Sequence, residues 1–266
     1  MESRFLQYKS SSIHYAVAGH GKQIIVALHG YSDTADSFGF MENALANDFM
    51  LIAIEMPFHG QTDWREGLRF PTSDLIEIIQ IILDQFPIAE KKIWVMGFSM
   101  GGRIALKILQ KIPEKISRII LLAPDGLHVN KFYWIATQSF PGRLLFRFTM
   151  WYPAWFIFMI RTGKKMGRVG PAGYKFVMSF LVEKEYREEL YQRWMAMRKF
   201  TPNLEKIKSI IRKFKVDVRM IFGETDHLIQ SENGEKFLVG IEKHCKLIVL
   251  PCGHNLMQEK NLKGIS

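Results

Sequence analysis

Three observations predict an α/β protein built on a mostly parallel sheet with helices on both faces. Short apolar runs of buried-strand length recur along the chain, helical periodicity fills the gaps between them, and conspicuous polar motifs follow the runs. Strands alternating with helices imply right-handed crossovers, and therefore parallel neighbours whose two faces are both covered. With 266 residues, of which 48% are apolar, the chain can bury the core of one large domain, or of a core domain with an insertion.

The elements follow in order. "SIHYAVAG" and "KQIIVALHG" read as strands of a hairpin around a turn at Gly19 to Gly21, and "FMLIAIEMP" and "KKIWVMGF" as buried strands. Between them, Ala35 to Asn47 and Pro71 to Phe86 carry helical spacing, the second with Thr72 and Ser73 as cap candidates. A helix from Met100 to Lys111 is stopped by Pro113, and "RIILLAP" is the next strand. After a long intervening segment come "VDVRMIFG", a helix near Glu232 to Lys243, and "KLIVLP".

That segment differs in kind from the rest. Between Gly126 and Lys215 there are 18 Lys or Arg against five acids, so this stretch alone accounts for the net charge of +10, and 18 of the 34 aromatic residues fall between Phe132 and Phe200. The composition divides the chain into a core of residues 1–125 and 201–266 and an insertion of 126–200. Within it, "LLFRFTMWYPAWFIFMI" holds one charge in seventeen positions. A membrane span is a poor reading, because Pro153 breaks a run that is already short and more aromatic than aliphatic. Nucleic acid is not an expected partner, since the cations are mixed into an apolar segment with no recognition motif.

Two cysteines, Cys245 and Cys252, form no C-x-x-C pair and read as reduced, packed thiols, with no metal and no cofactor expected. The first 25 residues hold Arg4, Lys9 and Lys22 and lack an apolar run of signal-peptide length, so the expectation is a cytoplasmic protein.

Chemistry concentrates where strands end, as in open α/β sheets generally. "VMGFSMGGRIAL" places Ser99 between a strand and a helix among Gly97, Gly101 and Gly102. The pattern G-x-S-x-G recurs by chance in roughly one chain in ten of this length, so its context must decide. A serine hydroxyl needs a base to take its proton and a carboxylate to hold the base in the right tautomer. His254, in "PCGHNLM" just past the last strand, is the base candidate, while His29 and His59 read as structural hydrogen-bonding residues. Asp226 in "MIFGETDHLI" is the simplest carboxylate, with Glu224 and Asp125 as rivals. The first amides of the helix after Ser99, beginning with Met100, would face a developing oxyanion.

"HGYSD", "EMPFHGQT", "GFSMGG", "GETD" and "CGHN", in this order and spacing, resemble the α/β-hydrolase fold superfamily along essentially the whole chain. The resemblance implies an eight-stranded, mostly parallel sheet flanked by helices, with a helical lid inserted after the sixth strand. It further implies a triad of Ser99, Asp226 and His254 and an oxyanion hole from the backbone N–H groups of Tyr31 and Met100. A serine nucleophile argues against the dehalogenase and epoxide-hydrolase branches. One departure stands out: members commonly carry Asp-x-Pro-Gly-His-Gly where this chain has Glu55-Met56-Pro57-Phe58-His59-Gly60.

An apolar, aromatic lid over such a serine suggests an ester or thioester with a hydrophobic part, bound by Trp151, Trp155, Phe156 and Phe158, and peripheral membrane contact through the same basic, aromatic face is a further expectation. A second reading starts from Arg103: "GFSMGGR" is also similar to the menaquinone-pathway lyase that eliminates pyruvate, in which Arg103 would bind substrate. Against it, Phe98 stands where that family leads one to expect Tyr; the plain alternative for Arg103 is a solvated helix residue. A third reading is a low-turnover ligand-binding member of the fold.

Overall fold

The computed structural model describes residues 1–45, 48–86, 92–128 and 131–261, with the backbone alone for Leu45, Ala172 and Phe176. Two compact units emerge, one drawn from Met1–Glu66, Phe70–His128 and the chain from Lys199 onward, the other from Gly67–Arg69 and Val129–Arg198.

In the first unit, aliphatic runs become strands because both of their faces are covered. β1 (Glu2–Tyr8) and β2 (Ser11–Ala18) precede β3 (Gln23–Leu28), a 3-10 turn at Ala35–Met41, α1 (Glu42–Leu45) and β4 (Phe49–Ile54). Then come α2 (Thr72–Leu83), β5 (Ile93–Phe98), α3 (Met100–Lys111) and β6 (Ile116–Leu122). The second unit supplies α4 (Lys131–Gln138), α5 (Phe140–Trp151), α6 (Ala154–Lys165), α7 (Pro171–Leu181) and α8 (Lys184–Met197). The first unit resumes with α9 (Leu204–Phe214), β7 (Asp217–Gly223), α10 (Ser231–Leu238) and β8 (Cys245–Leu250).

The strands form one eight-stranded sheet in the order β1-β2-β4-β3-β5-β6-β7-β8. β1 and β2 are antiparallel to their neighbours, and every pair from β4 to β8 is parallel. Leu51, Ile52, Val95, Met96, Ile119 and Leu121 are fully buried, which is the continuous apolar signature of strands covered on both faces. α2 buries Leu75, Ile78, Ile79 and Ile82, and α3 buries Ile104, Ala105, Ile108 and Leu109. At about 1.5–3 kcal/mol for each large aliphatic side chain removed from water, these stripes outweigh any propensity difference within the helices.

Three sequence expectations change. The hairpin partner of β2 is β1, turned at Lys9 with φ 55°, and not β3, because β4 lies between β2 and β3. β1 was illegible as a strand since it is a sheet edge with mostly exposed residues and little apolar alternation. The helix expected from Ala35 is mostly 3-10, with Ala46 and Asn47 outside the described residues, as is Lys91 of "KKIWVMGF". The helix near Glu232 ends at Leu238, where Val239 and then Gly240, at φ 87°, turn the chain.

The second unit has its own small core of Ala136, Phe146, Met150, Leu181 and Met195. Arg187 on α8 ties its helices together by donating to the carbonyls of Met150 (3.0 Å), Leu181 (2.7 Å) and Val182 (2.9 Å), acceptors that helix ends leave without intrahelical partners. Among the described residues, no helix is long and apolar enough to cross a membrane.

Candidate active site

Parallel register gathers the motifs. Leu28 pairs with Gly97, Gly97 with Leu121, Leu122 with Ile221 and Gly223 with Leu250, so the carboxyl ends of β3, β5, β6, β7 and β8 lie along one edge. The loops leaving that edge carry Tyr31, Ser99, Asp125, Asp226 and His254.

Ser99 occupies a backbone conformation that a side-chain-bearing residue rarely adopts, with φ 49° and ψ −113°. Such strain costs on the order of 1–3 kcal/mol and persists only where the surroundings over-determine it. Here the Ser99 amide donates to the Leu122 carbonyl at 2.9 Å, while the Ser99 carbonyl accepts from Gly102 and Asp125, both at 2.9 Å. The neighbouring glycines are steric requirements: a Cβ on Gly97 would lie 2.3 Å from the Gly101 carbonyl oxygen, and one on Gly101 would lie 1.9 Å from that of Leu28. The second contact also shows how closely the start of α3 approaches the end of β3, where the His29-Gly30-Tyr31 loop begins.

His254 Nε2 lies 3.2 Å from Ser99 Oγ, and His254 Nδ1 lies 2.7 Å from Asp226 Oδ2. The Asp226 side chain is fully buried, and its other oxygen accepts the amides of Leu228 (2.8 Å) and Ile229 (3.0 Å). Both oxygens of this buried carboxylate are thus occupied, as burial of a charge demands. The His254 side chain retains about a quarter of its exposure, and Phe98 packs beside it with ring centroids 5.1 Å apart. An imidazole between a hydroxyl and a fixed carboxylate can move a proton from one reacting atom to another.

The rivals lie elsewhere. Glu224 is exposed, and Asp125 ion-pairs with Arg103 at 3.2 Å. Arg103 is buried rather than solvated on its helix, because α3 turns it under the loop after β6, against Gly126.

The loops beneath Tyr31 were only partly legible. His29 is fully buried, with Nδ1 2.7 Å from the Gly30 carbonyl and Nε2 accepting the Met56 amide at 3.0 Å. His59 sets Nε2 3.0 Å from the Tyr31 carbonyl and Nδ1 2.9 Å from that of Pro57, which ties the two loops together through one buried ring. Glu55 accepts from the amides of Ala35 (3.2 Å) and Gln61 (2.6 Å) and lies 3.0 Å from His14, an anchoring role for a carboxylate one methylene longer than the common Asp. Phe58 adopts φ 65°, the left-handed region that the glycine of the commoner motif enters freely. Asp33, which the sequence left unmarked, puts Oδ2 against Gly30; burial raises its carboxyl above its ordinary value, with His254 and a backbone hydrogen bond with Gly30 opposing the rise.

In the second unit Phe156 packs onto the small core, whereas Trp151, Trp155 and Phe158 are exposed. Among the described residues, no group of three or more His, Cys, Asp or Glu could hold a metal ion. Cys245 is buried and Cys252 half-buried, both as free thiols.

Comparison with known proteins agrees with this architecture. The alpha/beta hydrolase fold family model matches residues 23–260. A Bacillus subtilis protein named, as a provisional assignment, 2-succinyl-6-hydroxy-2,4-cyclohexadiene-1-carboxylate synthase is 34% identical over 42% of this chain and 41% of its own length. A pimeloyl-[acyl-carrier protein] methyl ester esterase from Hamiltonella defensa is 28% identical over 44% of this chain and 42% of its own. The chain thus spans about two fifths of the length of these curated relatives. A probable hydrolytic enzyme from Pseudomonas aeruginosa superposes with a TM-score of 0.67 at 15% identity, covering 98% of this chain and 91% of that one, a likeness of fold.

Proposed function

The chain belongs to the alpha/beta hydrolase fold family, and on that premise we propose that it is a serine hydrolase cleaving a carboxylic ester or thioester through an acyl-enzyme. The observation that carries this reading is the unbroken contact from Ser99 Oγ through His254 to Asp226, at 3.2 and 2.7 Å. Ser99 Oγ attacks the carbonyl carbon as His254 Nε2 takes its proton, and the oxyanion is held by the amides of Tyr31 and Met100. His254 returns the proton to the leaving alcohol or thiol. Water, deprotonated by His254, then attacks the acyl-Ser99 carbonyl, the acid departs and Ser99 regains its proton. Asp226 stays ionised and orients the imidazole throughout.

The substrate reading follows from the insertion, which acts as the lid of residues 126–200. Its aromatic, acid-poor composition favours a hydrophobic acyl or alcohol part, with Trp155 and Phe156 as the residues that meet it. A cytoplasmic location remains part of this proposal. The test is covalent labelling by a fluorophosphonate probe, with turnover of a short series of p-nitrophenyl esters, on wild type and Ser99→Ala. Labelling and turnover that vanish together in a stably folded Ser99→Ala are expected; labelling that survives, or a wild type inert to probe and esters alike, overturns the reading.

The pyruvate-eliminating reading is favoured by the similarity to the Bacillus subtilis protein. In it, Ser99 and His254 would abstract a carbon-bound proton while Arg103 held a carboxylate. The engagement of Arg103 with Asp125 weighs against it.

A further inference from the structure

The outward faces of α5 and α6 are apolar where a helix of a water-soluble unit should be polar. On α5, Gly142, Phe146, Thr149 and Met150 point into the second unit, yet the opposite face presents Phe140, Leu144, Leu145, Phe148 and Trp151 to solvent. Phe140 is 74% and Phe158, on α6, 72% exposed, so most of each ring meets solvent. Of the nineteen large hydrophobic side chains exposed among the described residues, fifteen lie between Phe132 and Tyr186. A helix with this much apolar side chain on its exposed face is one whose outer face is covered by something other than water.

Charge indicates what covers it. From Lys131 to Val182 the chain contains no Asp or Glu at all, against eight Lys or Arg. Arg147, Arg161, Lys164, Lys165 and Arg168 are exposed, on or just beyond the two helices. We propose that this face of the second unit docks on the surface of an anionic lipid bilayer, with the aromatic and aliphatic side chains at the level of the headgroups and upper acyl chains and the cations against lipid phosphates. Amphipathic helices that lie in the interface combine these two features, and Trp and Tyr favour that depth because one end of each ring system is apolar and the other polar. A second copy of the chain is a poorer occupant. A two-fold interface would set the same acid-free, cationic patch against itself. No described helix is long and apolar enough to span the bilayer.

The test is flotation of the full chain with vesicles of phosphatidylcholine alone and of phosphatidylcholine mixed equally with phosphatidylglycerol, with tryptophan emission followed in parallel. The expected result is flotation and a blue shift with the anionic vesicles, much weaker with the neutral ones and diminished by salt. Arg161→Gln with Lys164→Gln and Lys165→Gln should weaken anionic-vesicle binding about a hundredfold. Phe140→Ser with Leu144→Ser and Phe148→Ser should abolish the blue shift; these side chains are exposed, and circular dichroism and melting checks that each variant is folded. Absence of flotation with anionic vesicles, or variants that bind as wild type does, overturns the proposal. So does a dimer in sedimentation velocity that the apolar substitutions dissociate, for then a second copy covers the face. Ser99→Ala should float as wild type does, so vesicle binding stands or falls independently of the ester chemistry.

Discussion

Asp226 holds His254 from one side while two amides hold Asp226 from the other. The amides of Leu228 and Ile229 donate to Oδ1, leaving Oδ2 to His254 Nδ1 at 2.7 Å. In Asp226→Asn the same two donors would keep the amide oxygen on their side, so the new NH2 group would face Nδ1 and force the proton onto Nε2. That tautomer cannot accept from Ser99. Turnover should fall on the order of ten-thousandfold with KM little changed, and Asp125→Asn should be mild. Steady-state kinetics on the two variants checks this, and the opposite ranking would move the acid to the end of β6.

Arg103 separates the two chemistries. Ester hydrolysis requires no cation at that position, so Arg103→Ala should retain most of its activity once circular dichroism and melting show it folded, whereas pyruvate elimination would lose its carboxylate ligand. The ester series gives the complementary measurement. Each buried methylene contributes up to about 0.8 kcal/mol, so kcat/KM should climb a few-fold per methylene from acetyl towards octanoyl esters, and more shallowly in Trp155→Ala. A flat series together with an inactive Arg103→Ala would favour elimination.

Asp33 supplies a prediction about pH. Burial raises its carboxyl above the ordinary value, with His254 and Gly30 opposing, so ionising it costs more in the folded than in the unfolded chain. Its favourable contribution is complete below the unfolded value of about 3.9 and is lost as pH rises through the raised folded value. Asp33→Asn should therefore melt higher than wild type at neutral pH, and the advantage should shrink to nothing in acid. Melting temperatures across that range provide the check, and an equal advantage at every pH would show the effect to be packing alone.

The two thiols should differ sharply. Burial, with Asp217 and Glu242 adding to it, pushes Cys245 up to about 12, so almost no thiolate forms near neutrality. Iodoacetamide applied to the native protein should spare Cys245 and modify the half-buried Cys252 first, with peptide mass spectrometry as the readout.

Much of the fold was legible because parallel strands covered on both faces are written as uninterrupted aliphatic runs, as in "IIVAL" and "RIILL". β1 left no such trace, being an edge strand with water along most of its length, and the partner of β2 depends on which strand reaches it first in space. The nucleophile candidate was legible because three glycines mark a turn in which a Cβ would collide with backbone.

The sequence by itself determined the order of the core elements after β1, the residue types at the strand ends and the charge of the insertion, since each is a local property of neighbouring side chains. Only the tertiary structure decided that Asp226 rather than Asp125 meets His254, that Arg103 is buried against Asp125, and that Phe140 and Phe158 face water. Residues 28 positions apart come within 2.7 Å because two parallel strands end side by side, and carboxylates of equal chemistry are told apart only by which partner the register brings within reach.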